Sequence, residues 1–547
     1  MKILQRNPYL FWTIVGCLVY IPFLGSSQLF DWDEINFAES AREMLVTGDF
    51  LSVQINFQPF WEKPPIFIWL QVLSFQFFGT FTDNAWTSME FAARFPNALV
   101  GIATLLILFR IGKKHVSDNF GHLWAFSYLA AITPHVYASS GIIDPLFNLF
   151  IFLGIYAYSQ FYAQPNSFRW ALGAGISIGL GMLTKGPVAL LLWGATLLVY
   201  GIWQQVWKSR PVGRLFLGAC LSGIIAVVIF ASWYAMIIKK FGWGIWDDFV
   251  AYQIRLLTTG DAGHGQPVYY HVLVLLFGCL PISIWAGARL LRRKASDETI
   301  DLTRWMQVLF WVVLVIFSLV KTKIIHYSSM CWLPLTYFSA QVLTEFQSGQ
   351  WTWKRSYSIA LGLFGVLFGI VLSLVPLIGM YAAEASVYIQ DTFVRENLQA
   401  PVYWAGWEWM IGFTFIVLVL WTLLGRSLSF QRIIRLMLGS VMVMMCYMAV
   451  VLPKIAGYTQ ATPIDFYVSH VGQKVYIERV GFKSFAHLLY FQKQGPSPDG
   501  EALMKQSSTD RPTYFVMKSD AEDRFKYHPH LQLIKEENGF LFYKHVN

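Results

Sequence analysis

Long apolar stretches separated by short polar segments fill most of the chain. A helix needs about 20 mostly apolar residues to cross a bilayer. Stretches near that length lie at 9–27, 91–110, 120–138, 143–162, 169–184, 186–206, 214–238, 269–291, 304–320, 327–346, 357–381, 404–425 and 432–452. The pattern predicts an all-α polytopic membrane protein with about 13 transmembrane helices, all within residues 1–455.

Basic clusters between these stretches predict which loops face the cytoplasm. If the shorter apolar stretch 66–79 is an interfacial helix and does not cross, the main clusters share one side, which the positive-inside rule makes cytoplasmic. They are Lys2, Arg6, Arg110, Lys113, Lys114, Arg169, Lys208, Arg210, Arg214, Arg292, Arg293, Lys294, Lys354, Arg355, Arg426, Arg432 and Arg435. We therefore predict a cytoplasmic N-terminus and an outer loop, 28–90, that contains interfacial helices.

Other cations fall on the predicted outer side, against that rule. They are Arg42, Lys63, Arg94, Lys185, Lys239, Lys240, Arg255, Lys321 and Lys323. Several lie within one or two residues of a predicted span end. A cation there can snorkel to the interface or bind a lipid phosphate headgroup. Both interpretations remain open at this point.

The composition supports a membrane protein and argues against several other classes. Hydrophobic residues make up 56% of the chain and charged residues only 13%, whereas soluble chains carry about 25% charged residues. The net charge is +9, but the basic residues lie in short loops, so we expect no nucleic-acid partner. All five cysteines fall in apolar runs, which implies no disulfide framework.

A more polar segment, 456–547, follows the last predicted span. Short β patterns at 474–477 and 512–517 flank a helical pattern at 484–492, and an Asn-Gly pair at 538–539 indicates a hairpin. We predict a small extracytoplasmic α/β domain. It carries no catalytic motif, and a lid or docking role is favoured.

Carboxylates are concentrated at the start of the outer loop, beside an apolar chain. Ionisable groups at a membrane face are costly, so they indicate a functional site. Asp31 is expected to cap the helix that follows. Asp33 is our candidate for a general base towards a hydroxyl acceptor, or for a ligand of a metal ion that neutralises a phosphate leaving group.

A second charged motif, Glu62-Lys63-Pro64-Pro65, ends the polar part of this loop. The prolines can start the interfacial helix at its first turn. A plain ion pair at a helix start contributes little to stability. The functional interpretation places Lys63 on a phosphate and Glu62 on a metal ion or a cationic partner.

Three more candidates lie at predicted outer boundaries of spans. Asp144 precedes Pro145 and is either a helix cap or a second carboxylate of the site. Lys185 lies in a tight turn, where it can complement a helix C-terminus. His264 has glycine neighbours, and with Arg255 upstream it is a candidate for phosphate or metal contact.

Two absences limit the chemistry. The chain has no phosphate-binding loop of the GxxxxGK[ST] kind and no CxxC zinc pattern, so we expect neither a nucleotide cofactor nor a cysteine-bound zinc. Few acids lie within the spans and no internal repeat is visible, which argues against a lipid or sugar transporter, the competing class.

Several of these motifs, taken in order, resemble the aminoarabinose transferase and protein mannosyltransferase-like glycosyltransferases. The resemblance covers about residues 9–350. It rests on Asp33-Glu34, Ala38-Glu39, Arg42-Glu43-Met44-Leu45, Glu62 to Trp69, Phe91 to Pro96, Leu183 to Pro187, Phe317-Ser318-Leu319, Lys321, Lys323, His326 and Tyr327. The set is specific, although no single piece is.

This resemblance implies a type C glycosyltransferase fold in a bacterial inner membrane. Such enzymes move a sugar from a polyprenyl phosphate, such as undecaprenyl phosphate, to an acceptor on the outer face, usually with inversion. The acceptor is lipid A, another glycolipid, or a protein Ser/Thr side chain. Membrane lipids surround the protein.

The same resemblance implies roles for individual residues. Asp33 would be the central carboxylate and Asp144 a second one, and the donor phosphate would be bound by Lys63, Lys185, Arg255 and Tyr327. Glu62 and His264 match positions that hold a divalent ion, zinc or magnesium/manganese, in some relatives. Relatives often carry an arginine three residues after the central aspartate. Here Asn36 takes that place, so one phosphate-binding cation is missing.

Overall fold

The chain is described here by a computed structural model. It describes residues 7–164, 167–207, 213–258, 265–292, 300–424, 428–521 and 528–546. Helices dominate, and a small mixed sheet lies near the C-terminus. The predicted fold class, a helical membrane protein with a small C-terminal α/β part, is confirmed.

The described residues of the first half of the chain form eleven helices and one short hairpin. They are α1 (Pro8–Tyr20), α2 (Asp33–Thr47), β1 (Gln54–Ile55), β2 (Gln58–Pro59), α3 (Ile66–Phe78), α4 (Met89–His115), α5 (Asp118–Ala130), α6 (Ile132–Ala138), α7 (Asp144–Ala163), α8 (Phe168–Lys185), α9 (Val188–Trp207), α10 (Gly213–Phe241) and α11 (Gly244–Thr258).

The second half completes the helical bundle and adds the sheet. Its elements are α12 (Tyr270–Gly278), α13 (Ser283–Leu290), α14 (Ile300–Leu319), a 3₁₀ helix (Ile325–Cys331), α15 (Trp332–Gln347), α16 (Arg355–Met380), α17 (Ala382–Ser386), α18 (Thr392–Asn397), α19 (Trp409–Leu423), α20 (Phe430–Val450), α21 (Leu452–Thr459), α22 (Ala461–Ser469), β3 (Tyr476–Arg479), α23 (Ala486–Tyr490), α24 (Gly500–Met504), β4 (Thr513–Lys518), a 3₁₀ turn (Ser519–Ala521), β5 (Leu531–Glu537) and β6 (Phe540–His545).

Six spans among the described residues are long and apolar enough to cross a membrane: Met89–His115, Asp144–Ala163, Phe216–Phe241, Leu302–Leu319, Arg355–Met380 and Phe430–Thr459. Several shorter apolar helices accompany them, which makes the chain a multi-pass membrane protein. The count of about 13 spans stays a prediction.

Two predicted spans are not continuous helices, which corrects the sequence interpretation. The span predicted at 120–138 breaks at Ala131 into α5 and α6, and the one at 269–291 breaks into α12 and α13. Pro134 and Pro281 lie close to the breaks, where each removes a backbone donor. The breaks meet, because the Thr133 hydroxyl donates to the Gly278 carbonyl at 2.9 Å.

The apolar stretch 66–79, which was predicted to be an interfacial helix, forms the helix α3. Pro64 and Pro65 precede it, and Gly79, with φ 66°, ends it in the left-handed conformation. It buries one face and exposes Leu73 and Phe77 on the other. An apolar exposed face suits a helix in the membrane interface.

The C-terminal sheet has the strand order β3-β4-β6-β5, with β3 parallel to β4 and the other pairs antiparallel. The predicted hairpin is confirmed: Asn538 and Gly539 both have positive φ, 49° and 78°, as a two-residue turn between twisted strands requires. This part of the chain packs on the first outer loop. The Tyr490 hydroxyl accepts a hydrogen bond from the Leu29 amide at 2.8 Å, and the Phe485 ring lies 5.1 Å from that of Trp32.

Candidate active site

Lys63 lies directly before α3, half-buried among acids and phenols. Its ammonium group is 5.9 Å from the centre of the Tyr252 ring on α11. Burial opposes the charge, but Tyr252, Asp33 and neighbouring groups outweigh it and hold the pKa of Lys63 above its ordinary value. These neighbours therefore keep the Lys63 ammonium group in its charged form.

Asp144 and Lys185 form a buried ion pair at the ends of two neighbouring helices. Asp144 begins α7 and Lys185 ends α8, and their Oδ1 and Nζ atoms are 2.6 Å apart. The lysine also lies 5.4 Å from the Tyr327 ring. The N-cap residue of α7 is Ile143, and the other oxygen of Asp144, Oδ2, is buried with no hydrogen-bond partner among the described residues. The carboxylate instead orients Lys185, which makes Asp144 a positioning group for a cation.

A cavity of about 200 Å³ brings most of the predicted site residues together. Its polar lining is Glu62, Lys63, Asp144, Asn148, Lys185, Tyr252, Gln253, His326, Tyr327 and Ser329. Its apolar walls come mainly from α9 and α14: Val188, Leu191, Leu192, Ile316 and Phe317. We call it the cationic cavity. Polar groups converge against apolar walls, as in typical small-molecule sites.

Asp33 lines a second cavity, of about 360 Å³, next to the first. This acidic cavity is lined by Asp31, Trp32, Asp33, Glu34, Arg94, Tyr137, Ser139, Ser140, His326 and apolar residues of α20 and α21. His326 lines both cavities and so marks where they adjoin. Asp33 also acts electrostatically on Lys63. The predicted acid and the predicted cation thus stand on opposite sides of one junction.

Glu34 and Arg94 form the framework that holds Asp33 in place. Arg94 donates from Nε and Nη2 to both oxygens of Glu34, each at 2.8 Å. Glu34 also accepts from the backbone amides of Phe30 and Gly141. Burial opposes ionisation, but Arg94 and these donors hold the pKa of Glu34 below its usual range. Glu34 is therefore structural: it joins the outer loop, α4 and the segment before α7.

Arg255 stands apart from the other predicted phosphate ligands. It is exposed on α11 and does not line the cationic cavity. Its guanidinium lies 5.3 Å from the ring of Tyr252, whose own neighbour in the cavity is Lys63. The Tyr252 ring therefore lies near both cations, Arg255 outside the cavity and Lys63 in its lining.

The predicted metal ligands are not brought together in the described part of the chain. His264 lies outside the described residues. Within them, no three His, Cys, Asp or Glu side chains are placed to hold a metal ion. Glu62 interacts with Tyr252 and Lys63. A divalent ion at Glu62 and His264 stays a prediction.

The start of α2 corrects the expected role of Asp31. The N-cap residue is Trp32, and it makes no side-chain cap bond. Asp31 interacts instead with Ser484 and Arg479 of the C-terminal part, although burial outweighs them and raises its pKa to about 6. In the amide orientation that satisfies both partners, Asn36 donates to the Trp32 carbonyl and accepts from its indole N–H, each at 3.0 Å.

Three of the nine cations predicted on the outer side, against the positive-inside rule, pair with a carboxylate. Arg42 pairs with Glu39, Arg94 with Glu34, and Lys240 with Asp49. Lys63 and Lys185 line the cationic cavity. Five of the nine are thus accounted for by an ion pair or by the cavity, without snorkelling.

Sequence reasoning missed Tyr252, Asn148 and Tyr137. Two of them could have been found from their spacing along the chain. Asn148 follows Asp144 by four residues, and Tyr252 precedes Arg255 by three, so each shares a helix face with a residue already singled out. Tyr137 carried no such signal, because only the break before α6 places it in the acidic cavity.

Comparison with known proteins agrees with this picture. A family model described as dolichyl-phosphate-mannose-protein mannosyltransferase matches residues 10–241. An undecaprenyl phosphate-alpha-4-amino-4-deoxy-L-arabinose arabinosyl transferase of Enterobacter sp. (strain 638) is 28% identical over 410 residues, 72% of this chain and 69% of the relative. A similarly named transferase 2 of Pseudomonas fluorescens (strain Pf0-1) is 26% identical, over 71% of this chain and 68% of its own.

The fold is shared with a solved relative. The crystal structure of ArnT from Cupriavidus metallidurans bound to undecaprenyl phosphate superposes with a TM-score of 0.72 over 98% of each chain, at 18% identity. These matches confirm the resemblance that the motifs indicated. The chain is a membrane glycosyltransferase that resembles the aminoarabinose transferase and protein mannosyltransferase-like enzymes, and it has the type C fold.

Proposed function

We propose that the protein transfers a sugar from a polyprenyl-phosphate donor, undecaprenyl phosphate in bacteria, to a glycolipid acceptor such as lipid A. The observation that carries this proposal is the cationic cavity. Lys63 and Lys185 line it together with apolar side chains of α9 and α14. A lipid-linked phosphate has the same two parts, a charged group and an isoprenoid chain. The curated relatives are named for an undecaprenyl-phosphate-linked aminoarabinose.

The geometry supports a direct displacement. The bond between the anomeric carbon and the phosphate oxygen breaks, and the acceptor oxygen forms the new bond to that carbon. Charge develops on the departing phosphate, where Lys63 and the oriented Lys185 stabilise it. An acceptor in the adjoining acidic cavity would approach from the other side, which gives inversion.

Asp33 lines the acidic cavity, in which this proposal places the acceptor. With a hydroxyl acceptor, the carboxylate accepts the proton that the acceptor oxygen loses. A phosphate acceptor is already ionised and needs no base, and Asp33 would then orient the acceptor or the sugar. Whether the acceptor group is a hydroxyl or a phosphate therefore determines how strongly the transfer rate depends on Asp33.

A transfer assay with purified protein in nanodiscs tests the proposal. We expect lipid A to gain one sugar by mass spectrometry when undecaprenyl-phosphate-linked aminoarabinose is supplied, and a Ser/Thr-rich peptide to gain none. The matched control is the same mixture with free undecaprenyl phosphate. Transfer to the peptide alone would support the protein mannosyltransferase alternative, and transfer to neither acceptor would refute the proposed donor–acceptor pair.

We also propose that the N-terminus is cytoplasmic and that the site and the C-terminal sheet face the periplasmic side of the inner membrane. This orientation follows from the basic clusters in the loops. In a variant whose five cysteines are replaced by serine, a thiol introduced by Asp83→Cys, an exposed position after α3, should react with an impermeant maleimide in intact spheroplasts.

The internal control for this labelling is Ser348→Cys, an exposed position after α15 in a predicted cytoplasmic loop. It should react only after the membrane is permeabilised. Reaction of the Asp83→Cys thiol only after permeabilisation would show that α3 crosses the membrane.

A further inference from the structure

A third cavity lies at the far end of α2 and α3. It measures about 560 Å³ and shares no lining residue with the cationic or the acidic cavity. We call it the distal cleft. Its lining is Arg42, Leu45, Val46, Phe75, Gln76, Gly79, Thr80, Phe81, Thr82, Gln492 and Gln494. Three parts of the chain form it: α2, the end of α3 with the following turn, and the segment after α23.

The polar groups of the distal cleft are amides and hydroxyls. The side-chain amides of Gln76 and Gln492 have no hydrogen-bond partner among the residues that the structure describes, and neither has the Thr80 hydroxyl. The partly exposed ring of Phe81 lies at this cleft and packs edge-to-face on the buried ring of Phe75, with centroids 5.2 Å apart. Amides bind hydroxyl groups through both donors and acceptors, and aromatic rings cover the C–H faces of a pyranose.

The charges around the distal cleft cancel. Arg42 donates from Nε and Nη2 to both oxygens of Glu39, each at 2.7 Å, and from Nη1 to the Lys493 carbonyl. Three of its five N–H groups are thereby used, and the side chain is only 1% exposed, so Arg42 is a structural part of the cleft wall. Burial, together with Glu39, raises the pKa of the adjacent Glu43 to about 9, so Glu43 is neutral at pH 7. The cleft suits an uncharged polar ligand better than a phosphate.

Two segments adopt a rare backbone conformation at this cleft. Phe81 has φ 67° and Gln492 has φ 53°, in the left-handed region that non-glycine residues seldom occupy. Such conformations persist only where surrounding structure enforces them, and they concentrate at ligand sites. Both strained residues line the same cleft although they are far apart in sequence.

The distal cleft has a fixed relation to the active site. Arg42 follows Asp33 by nine residues on the same helix, α2, which places their Cα atoms about 14 Å apart at the rise of an α-helix. A ligand with an extended headgroup could therefore occupy the acidic cavity and the distal cleft together.

We propose that the distal cleft binds a neutral saccharide, the sugar portion of the acceptor that extends away from the reacting group. This inference rests on the proposed function insofar as the acceptor is a glycolipid. It assigns the segment around Gln492 a part in acceptor selection and explains why the C-terminal part is packed against the outer loop.

The test compares two acceptors with purified enzyme: lipopolysaccharide that carries core sugars, and lipid A prepared from it by mild acid. Gln76→Ala removes one amide, and Gln492→Asn shortens the other while keeping a residue that tolerates positive φ. Each variant should raise KM for the sugar-bearing acceptor by about fivefold, as expected for a lost hydrogen bond. Neither kcat nor KM for lipid A should change. Gln532→Ala, an exposed glutamine on β5, is the matched control.

A binding measurement separates this inference from the proposed reaction. The dephosphorylated oligosaccharide released from the same lipopolysaccharide should slow amide hydrogen exchange in residues 79–82 and 490–494 of the wild type, and less in Gln76→Ala. Protection without any sugar transfer would refute the proposed reaction and retain the saccharide site. Equal KM changes for both acceptors, unchanged KM in both variants, or absence of protection would overturn the distal cleft as a saccharide site.

Discussion

Replacing Lys63 with alanine should reduce sugar transfer by about a hundredfold or more, because a fixed charge that meets the developing phosphate is lost. Lys63 lines the cationic cavity, and its surroundings raise its pKa and so favour the charged form. Transfer from undecaprenyl-phosphate-linked sugar, measured by mass spectrometry, checks this. Lys239→Ala, an exposed lysine at the end of α10, should retain full activity.

Asp33→Asn completes this experiment. The change preserves shape but removes the proton acceptor, and we expect near-complete loss of transfer to a hydroxyl acceptor. Both variants should elute from size exclusion and unfold on heating like the wild type. Full transfer by both variants would show that the acid–cation junction is not the catalytic centre.

Removing either charge of the Glu34–Arg94 pair should destabilise the protein by about 3–5 kcal/mol, because the charge of the remaining partner is then buried without compensation. Both residues are at most 5% exposed. Arg94→Met and Glu34→Gln should each lower the midpoint of thermal unfolding in detergent, followed by tryptophan fluorescence. The exposed pair Lys113–Asp118 provides the control, and Asp118→Asn should leave the midpoint unchanged.

The same pair gives a pH dependence with a defined sign. The pKa of Glu34 is lowered in the folded protein, so its contribution to stability is complete above the unfolded value near 4.5 and is lost as pH falls through the folded value. As the pH falls from near 4.5 through the folded pKa of Glu34, the free energy of unfolding should decrease more steeply in the wild type than in Glu34→Gln. Parallel pH curves for the two proteins would contradict a structural role for this ionised pair.

The elements that local pattern controls were predicted well. Apolar length predicted the helices, because a continuous apolar stretch in a bilayer satisfies all its backbone hydrogen bonds within one segment when it forms an α-helix. The hairpin at Asn538-Gly539 was predictable because the turn needs positive φ at both positions. Lys63, Lys185, Asp144 and Tyr327 were also singled out from sequence, and they line one cavity.

The missed features depend on contacts between distant segments. The breaks before α6 and after α12 support each other through Thr133 and Gly278, and apolar length alone gives no sign of them. Asp31 was expected to cap α2, yet Ser484 and Arg479 of the C-terminal part are its partners. Those contacts join residues more than 400 positions apart, beyond any periodicity.

The sequence by itself determined that this is a multi-pass helical membrane protein, which charged residues lie between its apolar stretches, and which family they resemble. Only the tertiary structure decided which of those charged residues pair with each other and which line a cavity. It pairs Glu34 with Arg94 as framework, places Lys63 and Lys185 in one cavity and Asp33 in the next, and leaves Arg255 outside. The physical reason is that a charge acts over a few ångströms, and only packing brings groups from separate helices within that distance.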